Sequence, residues 1–255
     1  MDRENSSWET SSSWYDKIVG AKGHYFHQQV IIPGILKLLE MEKKTQPHLV
    51  DFACGQGILS RHLPKGMKYL GIDASESLVQ SAKTYAPQNG HNFFVHDLSH
   101  SLELPFKEFS HATCVLALQN IPHPQNLFKT AHTHLRKSGT FIIVINHPFY
   151  RIPRQTGWGV DEQKKLQYRR VDRYMSPLKI PIQTHPSKEG ASEQTWSYHH
   201  PLSHYSSMLK QAGFTIDLIE EWCSDKKSVG RTAAMENRSR QEFPLFMAIV
   251  ARKGI

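Results

Sequence analysis

Between residues 48 and 148, short apolar runs and helix-like segments take turns along the chain. HLVDFA (48–53), KYLGIDA (68–74), HNFFVHDL (91–98), HATCVLALQNI (111–121) and GTFIIVINHP (139–148) read as strands. GILSRHL (57–63), a segment from about Glu76 to Tyr85, and QNLFKTAHTHLR (125–136) read as the helices between them. The strands are near-continuous in apolar residues and do not alternate, which is the pattern of strands buried on both faces. Such an order predicts an α/β fold, a mostly parallel sheet with helices on its two sides.

The flanks read differently. Residues 1–13 are Ser-rich and expected to be disordered. From residue 14 the text turns helical, with Val30, Ile31, Ile35, Leu38 and Leu39 at helical spacing and Pro33-Gly34 as an interruption or restart. After Pro148 the alternation breaks. Residues 149–200 are rich in Arg, Tyr, Trp, Pro and His, and a helix is expected from Asp161 to Tyr174. So long an excursion in a compact domain is usually functional or disordered. Its five aromatics, Tyr150, Trp158, Tyr168, Tyr174 and Trp196, speak against disorder. A helix at 201–212 stops at Gly213, and strands at 214–222 and 243–252 are expected to close the sheet as an antiparallel pair.

The tightest local constraint is VDFACGQGILS, residues 50–60. A strand ends there, and Gly55 and Gly57 arrive two residues apart. Glycine reaches backbone angles closed to other residues and presents no Cβ, so a ligand can lie against the main chain. In open α/β sheets ligands bind beyond the carboxyl ends of the strands. Asp73 ends the next strand, 22 residues after Asp51, where a carboxylate can accept two hydrogen bonds from a ribose diol. Asp97 ends the third strand. A dinucleotide site asks for a third glycine where this chain has Ser60, so a nucleoside without a pyrophosphate also fits.

These segments resemble the class I S-adenosylmethionine-dependent methyltransferases of the bacterial small-molecule type. The matching text is VDFACGQG, YLGIDASESLVQSAK, FFVHDLSHSLELPF and LALQNIPHPQNLFKTAHTHLRKSGTFIIVINHP, in that family's order. WYDKIVGAKGHYFHQ and TWSYHHPLSHYSSMLKQAGF also resemble its flanking segments. The resemblance implies a Rossmann-like three-layer sandwich. Its seven-stranded sheet would be mostly parallel, with an antiparallel C-terminal strand and a lid inserted after strand five. One domain would run over 14–255, with a helical cap at 14–47, a cofactor-binding core at 48–148, a substrate lid at 149–200 and a C-terminal helix and strand pair at 201–255.

The resemblance also implies roles. The turn Ala53-Cys54-Gly55-Gln56-Gly57 would lie beside the methionine part of S-adenosylmethionine, with Asp51 below it ordering the loop. Cys54 departs from the glycine common in the family. Asp73 would bind the ribose hydroxyls, and Ala74 and Ser75 the adenine edge. Asp97 would take the adenine amino group, and the Leu98 N–H would meet the ring. Leu116 to Gln119 would line the methyl-transfer site, and Tyr15 and His24 would close over the cofactor. Other readings remain: Asp51 or Asp73 could cap the segments that follow them, and Tyr15 and His24 could be packing or surface residues.

Methyl transfer from a sulfonium is an in-line displacement with a good leaving group, so positioning in a dry pocket supplies much of the catalysis. A base is needed only for a nucleophile that holds its proton tightly. His147, at the end of strand five, is the candidate, ahead of His199, His200 and Asp172. NHPFY (146–150) is similar to the Asn-Pro-Pro-Tyr motif of amino-methylating nucleic-acid enzymes, but it follows the wrong strand.

The net charge is +8. Residues 1–150 carry 14 Lys and Arg against 12 Asp and Glu, and residues 151–255 carry 17 against 11. The basic second part, with Arg151, Arg154, Arg169, Arg170 and Arg173, could face an anionic substrate or be a solvated surface. The expected activity is methyl transfer to a small molecule. The alternatives are a tRNA or rRNA methyltransferase, or a non-catalytic protein that binds the cofactor. No metal set is evident. Three dispersed cysteines, no 18-residue apolar stretch and no signal-like N-terminus point to a cytoplasmic monomer or homodimer with no membrane span.

Overall fold

The computed structural model describes residues 8–9, 12, 19–40, 48–86, 90–183 and 194–254. Most of the stretch expected to be disordered, 1–13, and Tyr15 lie outside these residues, as does 41–47.

A π-helical turn over His27–Ile31 runs directly into α1 (Ile32–Glu40). Ile31, Ile32, Ile35, Leu38 and Leu39 are buried, one apolar stripe of an amphipathic helix. Pro33 follows directly on the π-helical turn, where the Ile32 N–H bonds back to the His27 carbonyl, and the chain stays helical through it.

The core strands are β1 (His48–Phe52), β2 (Lys68–Asp73), β3 (His91–Val95), β4 (Phe109–Val115) and β5 (Leu135–Asn146). They are joined by α2 (Glu76–Tyr85) and α3 (Gln125–His134). The expected helix at 57–63 is only a 3-10 turn, Leu59–His62. After the excursion come α4 (Leu202–Gln211), β10 (Phe214–Trp222), α5 (Ala233–Glu242) and β11 (Phe246–Lys253). Helix α5 was not expected from the sequence; its face is almost wholly polar and gives little amphipathic signal.

The seven strands lie in the order β10-β11-β5-β4-β1-β2-β3. β1 to β5 pair in parallel, and β11 runs antiparallel between β5 and β10. This is the mostly parallel sheet with an antiparallel C-terminal strand that the sequence predicts. Successive strand residues point to opposite faces. Leu49, Tyr69, Ile142 and Val144 pack under α1 and α2, while Val50, Phe52, Phe141 and Ile143 pack under α3 and α4. Three layers and two apolar cores result.

The excursion departs from expectation. No helix spans 161–174. Two antiparallel hairpins form instead: β6 (Thr156–Asp161) with β7 (Leu166–Val171), and β8 (Leu178–Gln183) with β9 (Gln194–His199). The residues taken for a helix start, Glu162 to Lys165, make the first hairpin's turn, with Lys165 at φ 51°. β9 lies against the 3-10 turn Leu118–Asn120, and β7 lies against α5.

One contact ties the N-terminal helix to the far edge of the sheet. A Cβ built on Gly34 of α1 would sit 2.5 Å from Cζ2 of Trp222. Alanine is the better helix former by about 1 kcal/mol, but the indole cannot move without disturbing the end of β10. Gly34→Ala is expected to lower stability by roughly 1–3 kcal/mol through overpacking, read from the midpoint of chemical denaturation. A gain in stability would show that the indole is free to shift.

Candidate functional site

The carboxyl ends of β1 to β5 open onto a cavity of about 930 Å³. Its floor starts at β1. Asp51 is buried, and its Oδ2 accepts a hydrogen bond from the Tyr69 hydroxyl at 2.7 Å and its Oδ1 one from Thr113 Oγ1 at 2.7 Å. Asp51 therefore spans from β1 to both neighbours, beneath the turn and outside the cavity wall. Burial pushes its carboxyl up to about 6, against the pull of the Thr113 and Tyr69 hydrogen bonds, and the Asp73 charge adds to the rise.

The chain then leaves β1 through three left-handed residues, Ala53 at φ 56°, Gly55 at φ 55° and Gly57 at φ 70°. Ala53 and Gly55 line the cavity. Gly57 does not: a Cβ there would stand 2.9 Å from the Phe93 ring and 3.2 Å from Ala82. The second glycine therefore serves helix–strand packing and not a ligand. Ser60, in the place of a third glycine, donates its hydroxyl to the Gly57 carbonyl at 2.7 Å and closes the turn. Cys54 is buried away from the cavity, its Sγ near Gly71.

Asp73 lines the cavity at the end of β2. Its Oδ2 accepts from the Gly55 N–H at 2.8 Å and its Oδ1 from the Ser75 N–H at 2.9 Å. The carboxylate thus holds the bare turn in place while keeping lone pairs for a ligand. Burial raises its pKa, and the N–H groups of Ser75, Gly55 and Ala74 pull it down. The cap of α2 is Ser75, whose Oγ accepts from the Leu78 N–H at 3.2 Å. Ala74 is on the wall and Ser75 is not. Glu9 reaches the same helix start from the N-terminal segment. It accepts the hydroxyls of Ser75 and Ser77, which hold its carboxyl below the usual range. Beside it Trp8 lines the cavity.

After β3, Asp97 and Leu98 are both on the wall. Asp97 is exposed and folds its own turn, Oδ1 accepting from the Ser99 N–H at 2.9 Å. After β4, Leu116 adopts φ 54° and donates its N–H to the Val144 carbonyl at 2.7 Å. Gln119 donates its Nε2 to the Leu116 carbonyl at 2.7 Å, which leaves its buried Oε1 without a partner among the described residues. Both residues line the cavity, together with Val115, Ala117 and Ile121. Hairpin β8–β9 supplies Ile182 and Ser197 as a roof.

Two histidine expectations change. His24 is exposed and off the wall; His27, one helical turn later, is buried and on it. Its Nδ1 accepts from the His24 N–H at 3.3 Å, so Nε2 carries the proton. Burial, with His24 and His62 nearby, lowers its pKa to about 4. His24 precedes the helical stretch, whereas His27 opens the π-helical turn. His147 is not on the wall. Its Nε2 meets Glu221 Oε1 at 2.7 Å, and its Nδ1 accepts the N–H groups of Phe149 and Tyr150, each at 3.3 Å. With both nitrogens engaged it pins the end of β5 to β10, away from the cavity wall. His199 is likewise tied, its Nε2 to the Tyr174 carbonyl at 2.7 Å. Sequence reading missed Trp8, Ile182 and Ser197, all brought in by pairings distant along the chain.

Comparison with known proteins agrees with this geometry. Residues 50–143 match the family described as "Methyltransferase domain". The ubiquinone biosynthesis O-methyltransferase of Coxiella burnetii is 32% identical over 126 residues, 47% of this chain and 53% of that protein. The chain thus spans about half the length of the curated relatives it matches. Among solved structures, an S-adenosylmethionine-dependent methyltransferase from Mesorhizobium loti is 27% identical, with a TM-score of 0.65 over 86% of this chain and 96% of that one. A putative S-adenosylmethionine-dependent methyltransferase from Listeria monocytogenes, 24% identical, shares the fold with a TM-score of 0.63 over 86% of this chain and 97% of that one.

The two shifted groups give opposite pH signatures. Asp51 titrates near 6 folded and near 3.8 unfolded, so its contribution is full below 3.8 and lost as pH rises through 6. His27 titrates near 4 folded and near 6.5 unfolded, so its contribution is full above 6.5 and lost as pH falls through 4. Between pH 4 and 6 the stability of wild type relative to Asp51→Asn should fall by roughly 2–3 kcal/mol, whereas relative to His27→Gln it should rise by a similar amount. Denaturation midpoints taken across that range check both signs.

Proposed function

Since the chain carries a class I S-adenosylmethionine-dependent methyltransferase fold, we propose that it moves a methyl group from S-adenosylmethionine to a small-molecule acceptor by in-line displacement. The observation that carries this is the Asp73 carboxylate, set beside the Cβ-free Gly55 turn within a cavity of about 930 Å³. That volume suits a nucleoside and a second small molecule together. The unpartnered Gln119 Oε1 is one more acceptor waiting for a donor at the wall.

The residues present fit the cofactor. Asp73 would accept the two ribose hydroxyls, Ala53 and Gly55 would let the amino-acid part lie on the backbone, and Ala74, Asp97 and Leu98 would hold the adenine. When bound, S-adenosylmethionine supplies a methyl group activated on a sulfonium. The chain's own work is to align the acceptor and exclude water. Leu116, Ala117, Ile121, Pro153 and Ile182 form an apolar end for the acceptor, closed over by the β8–β9 hairpin. Of the two histidines on the wall, His27 accepts the His24 N–H at Nδ1, so Nε2 carries its proton and it is a donor, and His100 lies 3.5 Å from the Asp97 carboxylate. The acceptor suited to this site is a nucleophile that needs no strong base, such as an acidic hydroxyl or an uncharged amine. The oxygen-directed chemistry of the curated relatives supports the first of these. Among the described residues no Lys or Arg lines the cavity, which disfavours an RNA acceptor.

Asp73→Ala is expected to weaken S-adenosylhomocysteine binding by roughly 2–4 kcal/mol, the loss of charge-assisted hydrogen bonds, measured by calorimetry. Unchanged affinity would remove the ribose role. Incubation with labelled methyl donor and a metabolite extract should label a small molecule at a rate nearly indifferent to salt. Label found only in RNA, with a steep salt dependence, would replace the acceptor class.

A further inference from the structure

A second cavity, about 280 Å³, lies beside the first. Phe26 and Arg151 line it, while their near neighbours His27 and Pro153 line the large one. Its walls are aromatic: Tyr150, Trp158 and Phe243 join Phe26. Two of the five arginines of the excursion converge on it. Arg169 is locked, its Nε donating to the Tyr150 carbonyl at 2.9 Å and its Nη2 to Thr156 Oγ1 at 2.9 Å, with the guanidinium 4.9 Å from the Trp158 ring centre. Its strand neighbour Arg170 points the other way and pairs with Asp172 at 3.1 Å.

Arg151 is the anomaly. Its guanidinium lies 5.4 Å from the Phe246 ring centre and has no ion pair or side-chain hydrogen bond among the described residues. Burial and the nearby Arg169 charge both push its pKa down. Among the described residues no carboxylate lines the cavity. Two guanidiniums with no counter-charge in a partly desolvated pocket are costly, and such a cost persists where a ligand removes it. A guanidinium fork matches a carboxylate edge with two parallel hydrogen bonds. Aromatic walls accept the faces and edges of a ring. The volume is below the range of drug-sized sites, which limits the occupant to about one ring.

We propose that this cavity binds a small aryl carboxylate, its carboxylate paired with Arg151 and Arg169 and its ring against Trp158, Tyr150 and Phe243. The site is separate from the methyl-transfer cavity and does not depend on its assignment.

The test is calorimetric titration of the full chain with benzoate, with neutral benzamide and with inorganic phosphate, in wild type and in Arg151→Gln. Benzoate should bind wild type, and the variant should lose about 10- to 100-fold in affinity, the range for a charge-assisted pair. Benzamide and phosphate should each bind wild type at least about tenfold more weakly than benzoate, since one lacks the charge and the other the ring. S-adenosylhomocysteine affinity, which reads the other cavity, should be the same in both proteins. No benzoate binding, equal binding in the variant, or equal binding of benzamide or phosphate overturns the proposal. Thermal melting adds an independent reading. Losing an unpaired charge should leave the Tm of Arg151→Gln at or above wild type, and benzoate should raise the Tm of wild type alone. A variant that melts well below wild type, or fails to fold, would make Arg151 a structural residue and overturn the site.

Discussion

A single buried carboxylate sets the geometry of the cavity floor. Asp51 accepts one hydrogen bond from β2 and one from β4, so β1 is joined to both neighbours through side chains as well as backbone. A buried carboxyl tolerates its surroundings only while its partners stay in place. A slip of one residue would turn Tyr69 or Thr113 to the opposite face and strand it. The strand tips are therefore held level where the turn begins. On that platform Asp73 grips the Gly55 N–H, and the backbone around it is left open to the cavity. Two acids of the same type thus do different work. One is enclosed and builds; the other is half open and can bind.

The excursion divides its two hairpins between two cavities. β8–β9 roofs the large one over the 3-10 turn that follows β4. β6–β7 gives Trp158 and Arg169 to the small one and rests on α5, where Ser239 donates its hydroxyl to the Gln167 carbonyl at 3.1 Å. The basic excess of the second part of the chain is split in the same way. Among the described residues none of it lines the large cavity, and two arginines enter the small one.

Much of the fold was legible because its signals are local. Apolar runs closing on Asp51, Asp73 and Asp97 gave the parallel strands and the end of the sheet where the large cavity opens. The helix expected over 161–174 failed for a reason that can be named. Glu162, Gln163, Lys164, Lys165 and Leu166 are good helix formers, but Thr156 to Asp161 offers a partner strand, and cross-strand pairing overrides such weak preferences. The second glycine was read as leaving the backbone bare for a ligand, and the neighbours that crowd it are Phe93 and Ala82.

By itself the sequence determined the alternation, the strand-end acids and the bare turn, because each follows from residues close together in the chain. Tertiary structure alone decided that His27 and not His24 lines the cavity, since packing buries the first and leaves the second in solvent. It also decided that His147 is consumed by Glu221, and that Arg151 meets Arg169 across an aromatic pocket. Those outcomes depend on which distant segments pack together, and packing is settled by the area and shape each pair of elements can bury, a quantity no short window of residues contains.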